Sequence, residues 1–321
     1  MTSYRLLCPG PVNVRHEVAQ ALTEAEICHR EEEFSSLLQQ IRQNVLLVAG
    51  LRQPERYTSV VITGSGSSAN EAVLSSAVRA DERVLVIASG EFGQRLGHIS
   101  SIYNPQTRVL RHEWGTDIDL EEVERAIRDF EPHLVAMVHH ETSTGLLNPI
   151  HEVGELCQRH HARFYVDAVS SFSADRIDIE GCNITFLGTS SGKALGTYPG
   201  LSVVIGLRSA FEEIAHFPVR NYYLHLDRYF RFAEDHSQTP MTPAVPLFLA
   251  LNRALELVVE EGIASRLQHH ESLAQLVRAG LKARGLRMLR EDTRLSNAVS
   301  SVFLPNGVAF EALRQGLRER G

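Results

Sequence analysis

Lys193 and Asp167 carry side chains whose pairing has a chemical meaning. Lys193 lies in T-S-S-G-K-A-L-G (Thr189–Gly196), a loop of small residues after an apolar run. Asp167 lies twenty-six residues earlier and ends the run F-Y-V-D. A primary amine captures an aldehyde as an imine, and a carboxylate keeps a pyridine nitrogen protonated. A strand that delivers the acid and a loop that delivers the amine therefore suit pyridoxal phosphate. The small, scarcely charged neighbours of Lys193 favour a desolvated amine of lowered pKa, the form that Schiff-base chemistry needs. Lys193 is not the lysine of a nucleotide phosphate loop. Only three residues separate Gly188 from Gly192, and Ala194 stands where a Ser or Thr is required. Each residue alone also has a plain reading, Lys193 as a surface lysine and Asp167 as the cap of a turn.

Three more segments offer matching chemistry. Val60–Leu74, V-V-I-T-G-S-G-S-S-A-N-E-A-V-L, reads as a strand, a Gly/Ser turn and a helix. Backbone N–H groups at the helix start, with the hydroxyls of Ser65 and Ser67, make an anion site. Gly64 and Gly66 permit the tight turn and the close approach of a phosphate. A Ser-capped turn is the plain alternative. Gly64-x-Gly66-x-x-Ala69, with Glu91 beyond it, also fits the loose dinucleotide-binding fingerprint. In A-S-G-E-F-G-Q-R (Ala88–Arg95), Phe92 stands among small residues at a strand end, placed to lie flat on an aromatic ring or to pack in the core. V-H-H-E-T-S-T-G (Val138–Gly145) follows another strand and offers Thr142 to a phenolate oxygen. His139 and His140 are adjacent, so on a strand they face opposite sides, which argues against a shared metal ion.

The elements that position these residues alternate. Strands are predicted at Tyr57–Thr63, Arg83–Ala88, Leu134–His139, Phe164–Asp167, Ile184–Gly188 and Leu201–Ile205, several apolar on both faces as central parallel strands are. Helices are predicted at Glu33–Ala49, Ala69–Val78, Leu120–Asp129 and Ile150–His160. The alternation implies an α/β fold with a parallel sheet and crossover helices. From about Ala244 the pattern turns helical, through Pro246–Glu261 and Ala264–Arg284. A strand at Ala298–Leu304 and a helix at Ala309–Glu319 follow. Residues 13–240 read as a large domain and 241–321 as a smaller α+β domain.

Composition excludes several classes. The chain is 43% hydrophobic and 22% charged, with net charge −7, an ordinary globular balance. The charge and the absence of a Lys/Arg block argue against a nucleic-acid surface. No run of about eighteen apolar residues predicts a membrane span. The N-terminus has no apolar core of signal-peptide length. Cys8, Cys28, Cys157 and Cys182 are scattered, as free thiols of a cytoplasmic protein are.

Taken in order, the five segments resemble the class V aminotransferases of pyridoxal-phosphate fold type I. Within them the likeness is to the 2-aminoethylphosphonate–pyruvate aminotransferases, with the alanine–glyoxylate aminotransferases more distant. It covers nearly the whole chain. It runs from L-L-C-P-G-P-V-N-V (Leu6–Val14) through H-R-E-E-E-F (His29–Phe34), G-S-G-S, G-E-F-G-Q-R, M-V-H-H-E-T-S-T-G-L-L-N-P-I and V-D-A-V-S-S-F. The resemblance implies a mostly parallel seven-stranded sheet in a large domain, with residues 1–12 belonging to the small domain and the active-site loop. It implies that Lys193 bonds the cofactor and carries a proton during transfer, and that Asp167 holds the pyridine nitrogen protonated. It further implies Phe92 and Val169 on the two ring faces, Thr142 at the 3′-oxygen, and Ser65, Gly66 and Ser67 at the phosphate. Thr242, in Q-T-P-M-T-P (Gln238–Pro243), would serve the phosphate of a neighbouring subunit, hence a homodimer with shared sites. The implied reaction moves the amino group of 2-aminoethylphosphonate to pyruvate. The family's chains continue beyond the last helix with an Arg that grips the substrate carboxylate. On that pattern the small domain here is truncated, and no residue inherits that role. Gly192 also replaces a polar residue common in relatives. Elimination, transfer from another small amine, a non-catalytic protein of this fold and a dinucleotide-dependent oxidoreductase are the alternatives.

Overall fold

The computed structural model describes residues 4–291 and 294–320. Two helices, α1 (His16–Ala21) and α2 (Glu32–Val48), lead into β1 (Tyr57–Thr63) and α3 (Gly66–Ser76). Then come β2 (Val84–Ala88), α4 (Glu91–Tyr103), β3 (Thr107–Arg111), α5 (Leu120–Phe130) and β4 (Leu134–Val138). A two-residue pair, β5 (His140–Glu141) and β6 (Leu146–Leu147), precedes α6 (Ile150–Arg159) and β7 (Arg163–Asp167). β8 (Phe186–Ser190), β9 (Leu201–Leu207), α7 (Arg208–Ile214), α8 (Leu226–His236), α9 (Val245–Glu261), α10 (Ile263–Ala283) and α11 (Phe310–Arg318) complete the described chain.

Seven strands form one sheet in the order β1-β9-β8-β7-β4-β2-β3. β9 runs antiparallel to both of its neighbours, and the other pairings are parallel. The sheet is buried on both faces because its strands are apolar on both. In β2, Leu85 and Ile87 join one core with Val135, Met137, Val166 and residues of α2, α5, α6 and α9. Val84 and Val86, pointing the other way, join a second core with Ala136, Tyr165, Phe186 and residues of α3, α4, α7 and α8. Each fully buried Val, Leu or Ile side chain contributes roughly 1.5–3 kcal/mol by leaving water. The result is the mostly parallel α/β sheet that the alternation predicts. Its strands end together at one edge, above which the loops converge.

Several elements differ from expectation. β3 and α4 are not in the predicted set, and Phe92 stands in the first turn of α4 rather than at a strand end. Ala298–Leu304 is not a strand. Leu289 N–H donates to the Ser301 carbonyl (2.9 Å), Phe303 N–H donates to that of Arg287 (2.8 Å), and the ladder stops at the isolated bridge Met288–Val302. The facing segment is too short to extend it. α9 packs on α2, with the Phe34 and Phe248 rings 5.3 Å apart, and so belongs to the sheet's core. α10 and α11 differ from it. Among their described residues only Ala274 is buried. Leu273, Leu276, Phe310, Leu313 and Leu317 are exposed.

Candidate active site

Eight of the nine residues singled out by sequence line one cavity of about 300 Å³ at the carboxyl ends of the strands. That is where open α/β sheets place ligands. The turn after β1 brings Ser65, Gly66 and Ser67. α4 brings Phe92, the loop after β5 brings Thr142, the end of β7 brings Asp167 and Val169, and the loop after β8 brings Lys193. Thr242 is exposed and does not line the cavity.

Asp167 is almost fully buried. Val169 N–H donates to its Oδ1 at 2.9 Å, and Asn70 Nδ2 donates to its Oδ2 at 2.7 Å. Asn70 is itself fixed, since its Oδ1 accepts from the Tyr165 hydroxyl at 2.5 Å. Burial pushes the Asp167 carboxyl up to about 6 despite the two donors. A carboxylate desolvated this far calls for a cation beside it. Lys193 is half-buried, and burial lowers its ammonium below the usual range. The N-terminal loop closes on its stem. A β-carbon on Gly10 would lie 2.5 Å from Lys193 Cδ and 2.7 Å from the Gly192 carbonyl. The chain's second lysine, Lys282, pairs with Glu291 at 2.9 Å, away from the cavity.

Phe92 is oriented by a buried acid. Glu141 accepts from the N–H groups of Phe92 (3.3 Å) and Gly93 (3.0 Å) at the start of α4, and from the Ser143 hydroxyl at 2.6 Å. A carboxylate suits a helix N-terminus, where N–H groups lack intrahelical acceptors. The same reasoning applies at α3, whose first N–H groups, on Gly66 and Ser67, open toward the cavity. A β-carbon on Gly66 would meet Val169 at 2.8 Å, so only glycine lets this turn approach β7.

His140 also lines the cavity. Its Nδ1 lies 3.2 Å from the Ser170 carbonyl and 3.0 Å from Ser296 Oγ, which donates to Asp175 Oδ2 at 2.8 Å. A carbonyl only accepts, so Nδ1 carries the proton. Nε2 is then a bare acceptor, buried and without a partner. Burial lowers the imidazole to about 4, keeping it neutral. The chemistry of this donor set fits pyridoxal phosphate. There are N–H and hydroxyl donors for a phosphate, a buried carboxylate for a ring nitrogen, an aromatic and an aliphatic face, and an amine for an aldehyde. The orphaned His140 Nε2 and the cradle at Gly66 both leave room for a polar ligand. The dinucleotide reading fares worse, because β1 is an edge strand paired antiparallel, whereas that fold places the first strand inside a parallel sheet.

Sequence reasoning missed Asn70, Arg95, Glu141 and Ser170, and weighed His140 only as a metal ligand. Asn70 carried a signal, being polar on the apolar side of a helix and one turn after Ser67. Glu141 carried another, an acid directly after an apolar strand.

A family model described as aminotransferase class-V matches residues 14–321. An uncharacterized aminotransferase of Methanocaldococcus jannaschii is 35% identical over 96% of this chain and 80% of its own. A 2-aminoethylphosphonate–pyruvate transaminase of Klebsiella pneumoniae is 32% identical over all of this chain and 89% of its own. The crystal structure of an alanine–glyoxylate aminotransferase from Nostoc superposes with a TM-score of 0.92 at 29% identity, over 99% of this chain and 85% of that one. With the sheet, the cavity and its donor set in agreement, the chain belongs to the aminotransferase class-V family, as an aminotransferase whose cofactor is pyridoxal 5′-phosphate.

Proposed function

We propose that the protein transfers the amino group of 2-aminoethylphosphonate to pyruvate, giving phosphonoacetaldehyde and alanine. The observation that carries the site assignment is the convergence of Asp167, Phe92 and Lys193 on one cavity, beside an N–H-rich turn. For the substrate, the support is the whole-chain similarity to the Klebsiella transaminase. Bound pyridoxal phosphate supplies an electron sink for the amine carbon. Lys193 holds the cofactor and moves a proton at its Nζ. Asp167 holds the ring nitrogen, and Asn70 with Val169 N–H keeps its two oxygens aimed. Phe92 and Val169 cover the ring faces, Thr142 faces the phenolic oxygen, and Ser65, Gly66 and Ser67 hold the phosphate. The N-terminal loop at Gly10 and Pro11 shields the Lys193 stem from water.

Thr242 would complete the phosphate site of a second copy in a homodimer. Its exposure supports this reading, as do the uncovered Val219, Tyr222 and Tyr223. Light scattering tests it, with a monomer as the refuting result. Four free cysteines support a cytoplasmic setting. No helix among the described residues is long and apolar enough to cross a membrane.

Adding 2-aminoethylphosphonate alone to the protein loaded with pyridoxal phosphate tests the reaction. One equivalent of aldehyde should form and the visible band should move to roughly 330 nm, as cofactor chemistry of this kind requires. Pyruvate should restore the band and give alanine. Continuous turnover without a keto acid would mean elimination instead. The superposition on the Nostoc enzyme supports one second reading, alanine as donor and glyoxylate as acceptor, which the same spectra distinguish.

A further inference from the structure

We propose that Arg95 binds the anionic head group of the amine substrate, a phosphonate or a carboxylate carried a short linker from the amine, and so selects which amines react. This rests on the aminotransferase reading of the cavity.

The charged side chains that line the cavity, among the described residues, are Arg95, Lys193 and Asp167. Asp167 already has Asn70 and the Val169 N–H on its oxygens, so it leaves Arg95 without a carboxylate inside the cavity. Lys193 is engaged by the cofactor. Arg95 is therefore the cation that remains for a substrate. Its field also reaches the reacting amine, since it acts on Lys193 to lower that ammonium further, after burial.

Arg95 is held by the same device that holds Phe92. Glu141 pins the first turn of α4 through the Phe92 and Gly93 N–H groups. Residues three apart share a helix face, and the Arg95 guanidinium carbon sits 4.7 Å from the centre of the Phe92 ring. A guanidinium laid against a ring keeps its N–H fork free at the edge, the geometry that receives carboxylate or phosphonate oxygens in pairs. The ring that would stack on the cofactor thus also carries the cation. Arg95 lines the same cavity as Phe92 and Lys193, so a substrate's anionic tail held there is within its reach. Its ion partner in the absence of substrate is Glu91, one turn earlier at 3.5 Å, with side-chain exposures of 52% and 45% for Glu91 and Arg95. Such a screened surface pair contributes little and yields readily to an anion in the cavity.

Two arms test this on the cofactor-loaded protein, with Arg95→Gln and Arg95→Lys. The first arm titrates methylphosphonate, which cannot react, and reads the perturbation of the visible band. Arg95→Gln is expected to weaken its binding roughly 10- to 100-fold, as loss of a charged hydrogen-bond pair does. Arg95→Lys should fall between, keeping the charge but not the fork. Equal affinity in wild type and Arg95→Gln overturns the proposal, whatever amines do. The second arm compares 2-aminoethylphosphonate, β-alanine and propylamine, which share an amine on two carbons and end in phosphonate, carboxylate and methyl. The concentration needed to bleach the band should rise for the two anionic amines and stay unchanged for propylamine. The ratio between the first two tells phosphonate from carboxylate. An equal rise for all three refutes a role in recognising the anion. Failure of every amine to bleach wild type refutes 2-aminoethylphosphonate as the donor, while the methylphosphonate arm still decides on Arg95. Pyridoxal phosphate affinity, by equilibrium dialysis, should be unchanged. A tenfold loss in Arg95→Gln would assign the residue to the cofactor phosphate instead. Arg95 is half exposed, so melting should stay within about 2 °C of wild type.

Discussion

Asp167→Asn should separate the stability of the cofactor-free protein from its capacity to bind cofactor, and pH should reveal it. Burial raises the Asp167 carboxyl from its ordinary 3.8 to about 6. Because the folded value is the higher one, the native state binds more protons than the unfolded chain between those limits. Stability must therefore fall as pH rises through that window. At about 1.4 kcal/mol per pH unit, the loss is about 3 kcal/mol by pH 7. The amide that Asp167→Asn introduces cannot ionise, so the variant loses this dependence. It also sets an N–H₂ against a donor, Asn70 Nδ2 or the Val169 N–H, because both carboxylate oxygens now accept. That conflict costs about 1–3 kcal/mol, but equally at every pH. Asp175, also raised to about 6 by burial, titrates in both proteins and cancels. Urea unfolding of cofactor-free wild type and variant, from pH 4 to 7.5, should therefore show the variant gaining about 3 kcal/mol on wild type. Pyridoxal phosphate should then stabilise wild type far more at pH 7, because the protonated ring nitrogen gives the buried carboxylate its cation. Parallel stability curves for the two proteins would refute this reasoning.

Gly10→Ala should push the Lys193 stem aside, since its β-carbon would stand 2.5 Å from Cδ; the expected cost is about 1–3 kcal/mol with cofactor binding at least roughly tenfold weaker, read by dialysis. Glu141→Ala should strip acceptors from the Phe92 and Gly93 N–H groups and free the Ser143 hydroxyl. Urea unfolding should register a loss of about 3–5 kcal/mol, and unchanged stability would show that α4 holds Phe92 without it. Ser296→Ala should break the bridge from His140 to Asp175. Burying those groups without it costs about 1–3 kcal/mol, measured as a lower urea midpoint.

The legible part of the fold was the part that speaks locally. V-V-I-T, V-L-V-I-A and F-Y-V-D are apolar on both faces, as strands covered by helices on both sides are, so β1, β2 and β7 stand where predicted, β1 at the sheet's edge and the other two inside it. α4 was hidden by its own glycines. Gly93 and Gly97 lower helix propensity, yet both are needed, because β-carbons there would lie 2.7 Å from Ala88 Cα and 2.8 Å from Val109 Cγ2. β3, T-R-V-L-R, is an edge strand with Arg108 and Arg111 exposed, and its apolar run is too short to announce it. The strand expected at Ala298–Leu304 failed for a different reason, since its pairing with residues 287–289 stops at one bridge, Met288–Val302, and makes no ladder. In the site, the residues with intrinsic chemistry were readable from their own neighbours. Those that orient them were not. Asn70 meets Asp167 across 97 positions, and His140 meets Ser296 across 156. Contacts of that kind are set by the sheet order, which no local pattern states.

The account depends above all on Lys193 bonding the cofactor. The chain has two lysines, Lys193 in the cavity and Lys282 on α10, so the measurement is sharp. The protein with pyridoxal phosphate should absorb at roughly 410–430 nm, as its imine does. Borohydride should abolish that band, and mass spectrometry of the digest should find the reduced cofactor on the peptide containing Lys193. A protein that gains no such band, or a label on Lys282 alone, would contradict it.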